Sequence, residues 1–316
     1  MSDRRRVDRL LPFLIFAALV AAPILLELAG QGFYVKLVTR IAILALAALA
    51  LDFVVGFAGM VSLGHAAFIG IGAYAIGILS EHGIVNGWLQ FATAILGSAL
   101  VAVLIGIPSL RTRGVQFIMI TLAFAQMLYF VAVGLGAYGG EDGLTLWNLS
   151  EFGGLVDLGQ RTQLCGLAVG ILLVTYLGLR HVVGSRFGRV LRAGKANERR
   201  MAALGYDVTR YRLAGFALSG AITGLAGALL ANHNEFVSPS YMSWHRSGEL
   251  LVMVILGGLG TLHGAILGAA AFLLLEELLA DVTQHWHLIF GPLLVLVVIR
   301  ARGGIVGSIR GRPAGW

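Results

Sequence analysis

Long apolar runs separated by short polar breaks dominate the amino-acid sequence. A membrane-spanning helix needs about 20 predominantly apolar residues, whereas a strand of an outer-membrane barrel alternates apolar and polar positions. The continuous runs therefore predict an all-α, polytopic integral membrane helix bundle with about 8–10 transmembrane helices. Two runs, 65–80 and 247–260, are short for a complete crossing and are compatible with tilted, partly re-entrant or buried helices. The predicted spans are 11–29, 37–56, 65–80, 89–110, 115–137, 163–182, 213–232, 247–260, 262–280 and 285–300.

Composition narrows the class of protein. Hydrophobic residues make up 58% of the 316 residues and charged residues only 12%, against roughly 45–50% and about 25% in soluble domains. A soluble enzyme, a disordered regulator and a membrane protein with a large extramembrane domain are therefore excluded. We expect one membrane domain over 1–316, in which an outer loop at 138–162 and a basic inner segment at 183–212 are long enough to bind other proteins.

The formal net charge of +7 is unevenly distributed along the chain. Most of the 23 Lys and Arg residues fall on one side of the predicted membrane, and only Lys36, Arg40, Arg161 and Arg246 fall on or near the other side. The positive-inside rule then places both the N- and C-termini in the cytoplasm. The basic charge is thus a topology signal, and nucleic-acid binding is not expected. The Arg-rich start imitates a signal peptide, but the apolar run continues through 24–26, which favours an uncleaved first span.

Motifs for catalysis are weak. Residues 188–195 resemble a phosphate-binding loop, but Ala196 stands where Ser or Thr would ligate magnesium. His285 and His287 lie beside Asp281 as a conceivable metal cluster, although three polar residues in a short loop are the favoured interpretation. We identify no catalytic residue and no metal site, and the chain is not expected to be an enzyme or to hold a cofactor of its own.

Polar residues inside the predicted spans are the candidates for a transport pathway, because a charge at the bilayer centre costs roughly 2.5–3.5 kcal/mol on insertion scales. Three glycines within the nine residues 56–64 predict unwound backbone, which is tolerated at membrane depth only where it faces protein or water. Asp52 lies near the end of the second apolar run, close to the membrane surface. Instead of contacting substrate, its side chain could therefore be solvated or paired with another helix. The candidate pathway residues are Asp52, Ser62, Gly64, His65 and Gln126, with Gln116 and Glu249 as further polar positions.

Glycines at four-residue spacing predict that helices pack closely. Small residues at this spacing let helix backbones approach one another, and in lipid this packing replaces the hydrophobic effect. The pattern marks structure rather than substrate contacts. The three glycine stripes are Gly166–Gly170, Gly220–Gly224 and Gly260–Gly264–Gly268.

The segment 56–74, GFAGMVSLGHAAFIGIGAY, resembles a signature of branched-chain amino-acid ABC permeases of the LivM type. Further resemblances extend from about residue 37 to 307, and together they are highly specific. The sequence departs from the family pattern at Asp52, where Asn is common, at Met60, where Gln is common, and at 194–196, where an acidic residue is common. The further matching segments are 113–117, 121–126, 139–144, 185–193, 202–206 and 256–264.

The resemblance implies an importer permease in the inner (plasma) membrane of a bacterium. It would pair with a second, LivH-type permease and two cytoplasmic ABC ATPases, which would bind the ATP and Mg, and an extracytoplasmic binding protein would deliver the amino acid. The expected substrates are leucine, isoleucine and valine. Import of urea, amides or other amino acids is the alternative within the family, and an ion-coupled secondary transporter is a more distant one.

The inner segment carries an apolar stripe at helical spacing among basic residues: Phe187, Val190, Leu191, Gly194, Met201 and Leu204. From the residues alone, such a stripe fits docking on an ATPase or a connector held at anionic lipid headgroups equally well. The resemblance favours coupling to the ATPases. The coupling residues it implies are Arg189, Arg192, Ala202, Ala203, Leu204 and Gly205. The residues expected to face the binding protein are Gly140, Glu141, Asp142 and Gly143, together with the loop 233–246. A solvated outer loop without a binding role is the alternative.

Overall fold

The computed structural model describes residues 2–28, 30, 32–154, 156–282, 291–292 and 303–310. About 80% of the chain is helical, which confirms the predicted all-α polytopic membrane bundle. Six of the described helices are long and apolar enough to cross a membrane, and two shorter apolar helices, Leu11–Glu27 and His65–Glu81, accompany them. The histidines at 285 and 287 lie outside the described residues, as does most of the predicted span 285–300.

The nine predicted runs from 11–29 to 262–280 each coincide with a helix, namely α1–α6 and α9–α11. The short elements are a π-helical turn at Phe53–Ala58, 3-10 turns at Gly136–Tyr138 and Pro239–Met242, and the strands β1 (Leu144–Thr145) and β2 (Phe236–Val237). The described helices are α1 (Ser2–Leu28), α2 (Gly32–Asp52), α3 (His65–Glu81), α4 (Gly87–Ser109), α5 (Val115–Gly134), α6 (Arg161–Gly184), α7 (Arg186–Ala196), α8 (Glu198–Ala203), α9 (Val208–Asn234), α10 (Trp244–Gly257), α11 (His263–Val282) and α12 (Gly304–Arg310).

The bundle has two distinct ends. We call the end that carries α7 and α8 the basic end, and the end that carries β1 and β2 the sheet end. The two strands pair antiparallel, with Leu144 opposite Val237, and so join the outer loop to the loop after α9. Helix α1 leads into α2 at the sheet end, where Gly32 lies beside Arg161. Because Gly304 packs against Gly258 at the foot of α10, α12 lies at the basic end.

Helix α2 forms the centre of the bundle. In the stretch Gly32–Ala58, 94% of the most apolar part is buried inside the protein, by contacts with α1, α6, α9, α10 and α11. Helix α5 is at the other extreme, because only 22% of its apolar stretch is buried. An apolar helix that its own chain does not cover is suited to face lipid or another membrane subunit.

Two of the three predicted glycine stripes pack helices together. Gly224 on α9 meets Ser98 and the backbone of α4, and Gly268 on α11 meets the backbone of Met253 on α10. The prediction is wrong for Gly260, which lies in the turn before α11 and not on the helix. At the third stripe, a methyl group added to Gly166 or Gly170 on α6 would meet no atom within 4 Å. The prediction of close packing within this chain is therefore wrong for that stripe, because its glycines lie on the outer surface of α6.

Helix α10 spans only part of the bundle. Contacts along α3 show at what depth α10 begins. Gly77, near the end of α3, lies against Val237 at the sheet end. Seven residues lower, about 10 Å along the helix, Gly70 packs against the side chain of Met242. The Oγ of Ser247 then accepts a hydrogen bond from the N–H of Ala66 over 3.1 Å. The chain after β2 thus dips to roughly half depth before α10 begins, as the shortness of the run 247–260 suggested.

Candidate translocation pathway

Asp52 is fully buried at the end of α2. Its carboxylate oxygens accept hydrogen bonds from the backbone N–H groups of Gly260 over 2.6 Å and of Leu262 over 2.9 Å. Both donors lie in the turn between α10 and α11 and have positive φ angles of 73° and 34°. The side chain therefore fastens α2 to this turn, which matches the helix-paired alternative rather than an exposed contact for substrate.

The predicted break in the backbone after α2 is confirmed. A π-helical turn covers Phe53–Ala58, and residues 59–64 form no helix. Gly59 ends the turn with a φ of 72°, a left-handed conformation that side chains with a Cβ rarely adopt. Inside the turn, a Cβ on Gly56 would lie 2.5 Å from the Cα of Gly260. Glycine at position 56 thus lets the broken helix touch the α10–α11 turn backbone to backbone.

His65 and its neighbours lie inside the bundle rather than on an open surface. The Oγ of Ser219 donates to the carbonyl of Ala50 over 2.7 Å, so it accepts from the Nε2–H of His65 over 2.9 Å. The imidazole is fully buried and packs edge-on against the rings of Phe68 and Phe216. His65 therefore ties together α2, α3 and α9 in this conformation.

Ser62 and Gly64 lie directly before α3, where Gly64 approaches α5, and Gln126 lies on α5. Ser62 is buried and its Oγ accepts the N–H of Gly64 over 3.1 Å. Gly64 in turn approaches the backbone carbonyl of Thr121 on α5. Among the described residues, the Nε2 of Gln126 and the Nδ1 of His65 are buried and have no hydrogen-bond partner. These two atoms keep hydrogen-bonding capacity inside the predicted pathway region.

The apolar stripe of the inner segment faces its own bundle. Val190 and Met201 form a small buried cluster with Val208 at the start of α9, and Leu191 is buried in the main core. The interpretation of the whole stripe as a docking face is therefore wrong, because only Leu204 of it is largely exposed, at 64%. The reason is that α9 begins inside the segment, at Val208, and its first turns pack on the stripe.

The tip of the inner segment is exposed. Gly205 turns the chain there with a φ of 84°, and Ala202 and Ala203 are exposed beside Leu204. Arg189 is also exposed. The guanidinium of Arg192 instead donates to the carbonyl of Val183 over 3.1 Å and so caps the end of α6. The tip is thus an apolar projection with arginines around it.

Ion pairs hold the inner segment in place. The two carboxylate oxygens of Glu198, at the start of α8, contact Arg113 over 2.7 Å and Arg212 over 2.6 Å. These arginines belong to the loop before α5 and to α9. The segment is therefore fixed against two further parts of the bundle.

The outer loop and the loop after α9 form one surface. Gly143 has a φ of 86°, and a Cβ there would lie 2.5 Å from the carbonyl oxygen of Val237. The turn is thus held against β2, with Gly140 buried at its base. Glu141 and Asp142 are exposed at its edge. The two loops that were expected to face the same partner are joined by the β1–β2 pair.

A family model described as the permease component of branched-chain amino acid transport systems matches residues 33–299. The chain belongs to this family. The LivM permease proteins of high-affinity branched-chain amino acid transport systems in Salmonella typhimurium and Escherichia coli are each 29% identical over 299 residues, covering 87% of this chain and 70% of each relative. The LivH permease protein of Escherichia coli is 25% identical over 280 residues, covering 83% of this chain and 91% of that protein. No solved structure matches.

The family match confirms the resemblance seen in the sequence and makes the chain a multi-pass membrane permease component. The permease also contains contacts that the sequence did not reveal. The Nζ of Lys195 on α7 donates to the carbonyl of Gly56 over 2.8 Å, and its aliphatic chain covers Gly59. On the other half of α2, Arg40 pairs with Glu276 of α11 over 3.0 Å. The only sequence feature that pointed to Lys195 was the departure from the family pattern at 194–196. No sequence feature pointed to Glu276.

Proposed function

We propose that this permease is the LivM-type subunit of an ATP-driven, binding-protein-dependent importer for leucine, isoleucine and valine in the inner membrane of a bacterium. It forms the passage with a LivH-type permease. Two ABC ATPases supply the energy by binding ATP and Mg, and an extracytoplasmic binding protein delivers the amino acid. The names of the LivM and LivH relatives, which describe high-affinity branched-chain amino acid transport, support the substrate and the paired permease.

Charge supports the orientation of the permease. The exposed arginines of α7 and α8 cluster at the basic end, which the positive-inside rule assigns to the cytoplasm. The outer loop 138–162, with Glu141 and Asp142 exposed, then faces the binding protein. Segment 183–212 faces the ATPases, and both permease termini are cytoplasmic.

The observation that carries the proposal is the exposed apolar tip at the basic end. Leu204 and the neighbouring Tyr206 are exposed, at 64% and 43%, on a segment whose own core and ion pairs hold it rigid. Large exposed apolar side chains in an anchored turn, here between α8 and α9, are suited to a cleft on another protein. Because the tip is anchored, closure of that cleft can move the segment as a rigid body.

Uptake of labelled leucine by the reconstituted complex, with and without ATP, tests the proposed function. We expect ATP-dependent uptake that excess isoleucine or valine reduces and excess urea does not. Uptake that is driven by an ion gradient without ATP would favour the secondary transporter, and robust urea uptake without leucine uptake would change the assigned substrate.

Leu204→Glu tests the coupling tip. The charge should abolish docking and lower ATP-driven uptake by at least about tenfold, as expected when an apolar anchor at an interface is lost. The control variant Leu204→Met keeps the apolar surface and should retain uptake. Assembly is measured by copurification of the ATPases, and normal copurification and uptake with Leu204→Glu would remove the tip from the coupling surface.

A further inference from the structure

Charged and aromatic side chains lie uncovered at the beginning of α10. Arg246 donates from Nη1 to the Oε2 of Glu249 over 2.7 Å, and the two side chains are 35% and 36% exposed. Trp244 is 51% exposed, and its indole stacks on the ring of the exposed His245 with centroids 3.8 Å apart. This group, Trp244, His245, Arg246 and Glu249, is called the α10 cluster below.

The α10 cluster lies at membrane depth. It follows Met242, which packs against Gly70 in the middle of α3, and it brackets Ser247, which contacts Ala66 at the first turn of α3. The sheet end, marked by the contact between Gly77 and Val237, is therefore well above the cluster. The half-depth start of α10 brings this polar group inside the membrane.

Lipid is a poor neighbour for such a group. Each charge near the bilayer centre costs roughly 2.5–3.5 kcal/mol on insertion scales, and intramembrane charges therefore face water or protein. Because the side chains of Arg246 and Glu249 are both partly exposed, a further molecule can lie beside this ion pair. Asp52 and His65, by contrast, are fully buried in contacts between helices. The α10 cluster is thus better placed than either residue to meet a molecule that moves through the passage.

We propose that Arg246 and Glu249 form a subsite of the passage that holds the α-carboxylate and the α-ammonium group of the amino acid. This inference rests on the proposed function. A guanidinium binds a carboxylate through two parallel hydrogen bonds, and the Glu249 carboxylate accepts from the ammonium group. The ion pair satisfies both side chains while the passage is empty. The exposed indole of Trp244 provides an apolar surface for the aliphatic side chain of the substrate.

The position of the subsite also links it to the broken helix after α2. Helix α10 ends at Gly257, and the turn after it is the one that Asp52 and Gly56 contact. A displacement of the broken helix can therefore reach α10 through backbone contacts. Helix α10 would then move relative to α3 and open or close the subsite.

Thiol labelling tests whether water reaches the α10 cluster. Cys165 is the only cysteine of the chain and is buried, so Glu249→Cys adds one accessible thiol. The matched control is Leu100→Cys, an exposed apolar position on the membrane-spanning helix α4 that we expect to face lipid. In the reconstituted complex, a charged, membrane-impermeant thiol reagent should label Glu249→Cys at least about tenfold faster, and excess leucine during turnover should slow the reaction. Equal, slow labelling at both positions with and without ATP would overturn the subsite.

Transport by neutral variants tests the roles of the two charges. Glu249→Gln and Arg246→Gln should each lower the leucine transported per ATP hydrolysed by about 10- to 100-fold, the factor expected for one lost charge-assisted hydrogen bond. Binding of leucine to the binding protein should not change, and Arg246→Lys should recover part of the transport. Variants that assemble and transport normally would overturn the proposal.

Two further outcomes have distinct meanings. Loss of assembly with the LivH-type permease in both neutral variants would assign the pair to the interface between permeases and overturn the subsite. Absence of leucine uptake by the unmodified complex would overturn the proposed function, and with it the amino-acid ligand, whereas leucine uptake with unaffected variants would overturn the subsite alone.

Discussion

Two residues one turn apart decide how the central helix ends. Asp52 accepts hydrogen bonds from two N–H groups of the α10–α11 turn, and the backbone of Gly56 packs directly against the backbone of Gly260. A buried N–H that loses its partner costs about 1–3 kcal/mol, and lipid offers no water to replace that partner. In this structure Asp52 therefore joins the end of α2 to the turn between α10 and α11.

Gly56→Ala should separate these two backbones. The added methyl carbon would lie 2.5 Å from the Cα of Gly260, too close for two carbon atoms. Overpacking of this kind costs about 1–3 kcal/mol. We expect a lower thermal unfolding temperature of the purified complex and slower leucine uptake. Gly97→Ala on α4 is the control, because its methyl group would lie 3.9 Å from the nearest atom of Ile71. Equal unfolding temperatures for the two variants would contradict the close contact.

At the scale of elements, the sequence predicts which segments are helices but not what they touch. The apolar runs indicate the helices because a crossing demands about 20 such residues, and the glycines of 56–64 indicate the break. The amphipathic period of 187–204 indicates only that one face is apolar. Whether a partner or α9 covers that face depends on contacts between elements. The same holds for α10, whose depth is set by Met242 on Gly70, and for Asp52, whose partners lie more than 200 residues away.

Glu198→Gln tests whether the inner segment works as an anchored element. Partly exposed ion pairs contribute about 0.2–1 kcal/mol, so the unfolding temperature should change little. The variant removes the charge and one of the two acceptor oxygens, so α8 keeps a hydrogen bond to at most one of Arg113 and Arg212. We expect ATP hydrolysis to continue while the leucine transported per ATP falls severalfold. The control is Glu81→Gln, which removes one exposed carboxylate at the sheet end. Unchanged transport per ATP in Glu198→Gln would mean that the anchor is dispensable for coupling.

At the scale of the whole molecule, one series of contacts joins the two regions that the proposals assign to energy input and to substrate. It runs from the tip at Leu204 through α8 and α7 to Lys195, whose ammonium group holds the carbonyl of Gly56. Gly56 touches Gly260, and the turn continues into α10 with Arg246 and Glu249. Spatial continuity alone does not establish coupling, so the link most open to substitution without unfolding has to be tested.

Lys195 is that link. Lys195→Met keeps the aliphatic chain over Gly59 but removes the hydrogen bond to Gly56. Since the side chain is exposed and belongs to no core, the complex should assemble and hydrolyse ATP normally. The leucine transported per ATP should fall between about twofold and thirtyfold, which corresponds to coupling energies of about 0.5–2 kcal/mol. Lys195→Arg retains a donor and should transport more than Lys195→Met. If Lys195→Met keeps its transport per ATP, the force must reach α10 by another route, and the contact with Gly56 only caps the broken helix.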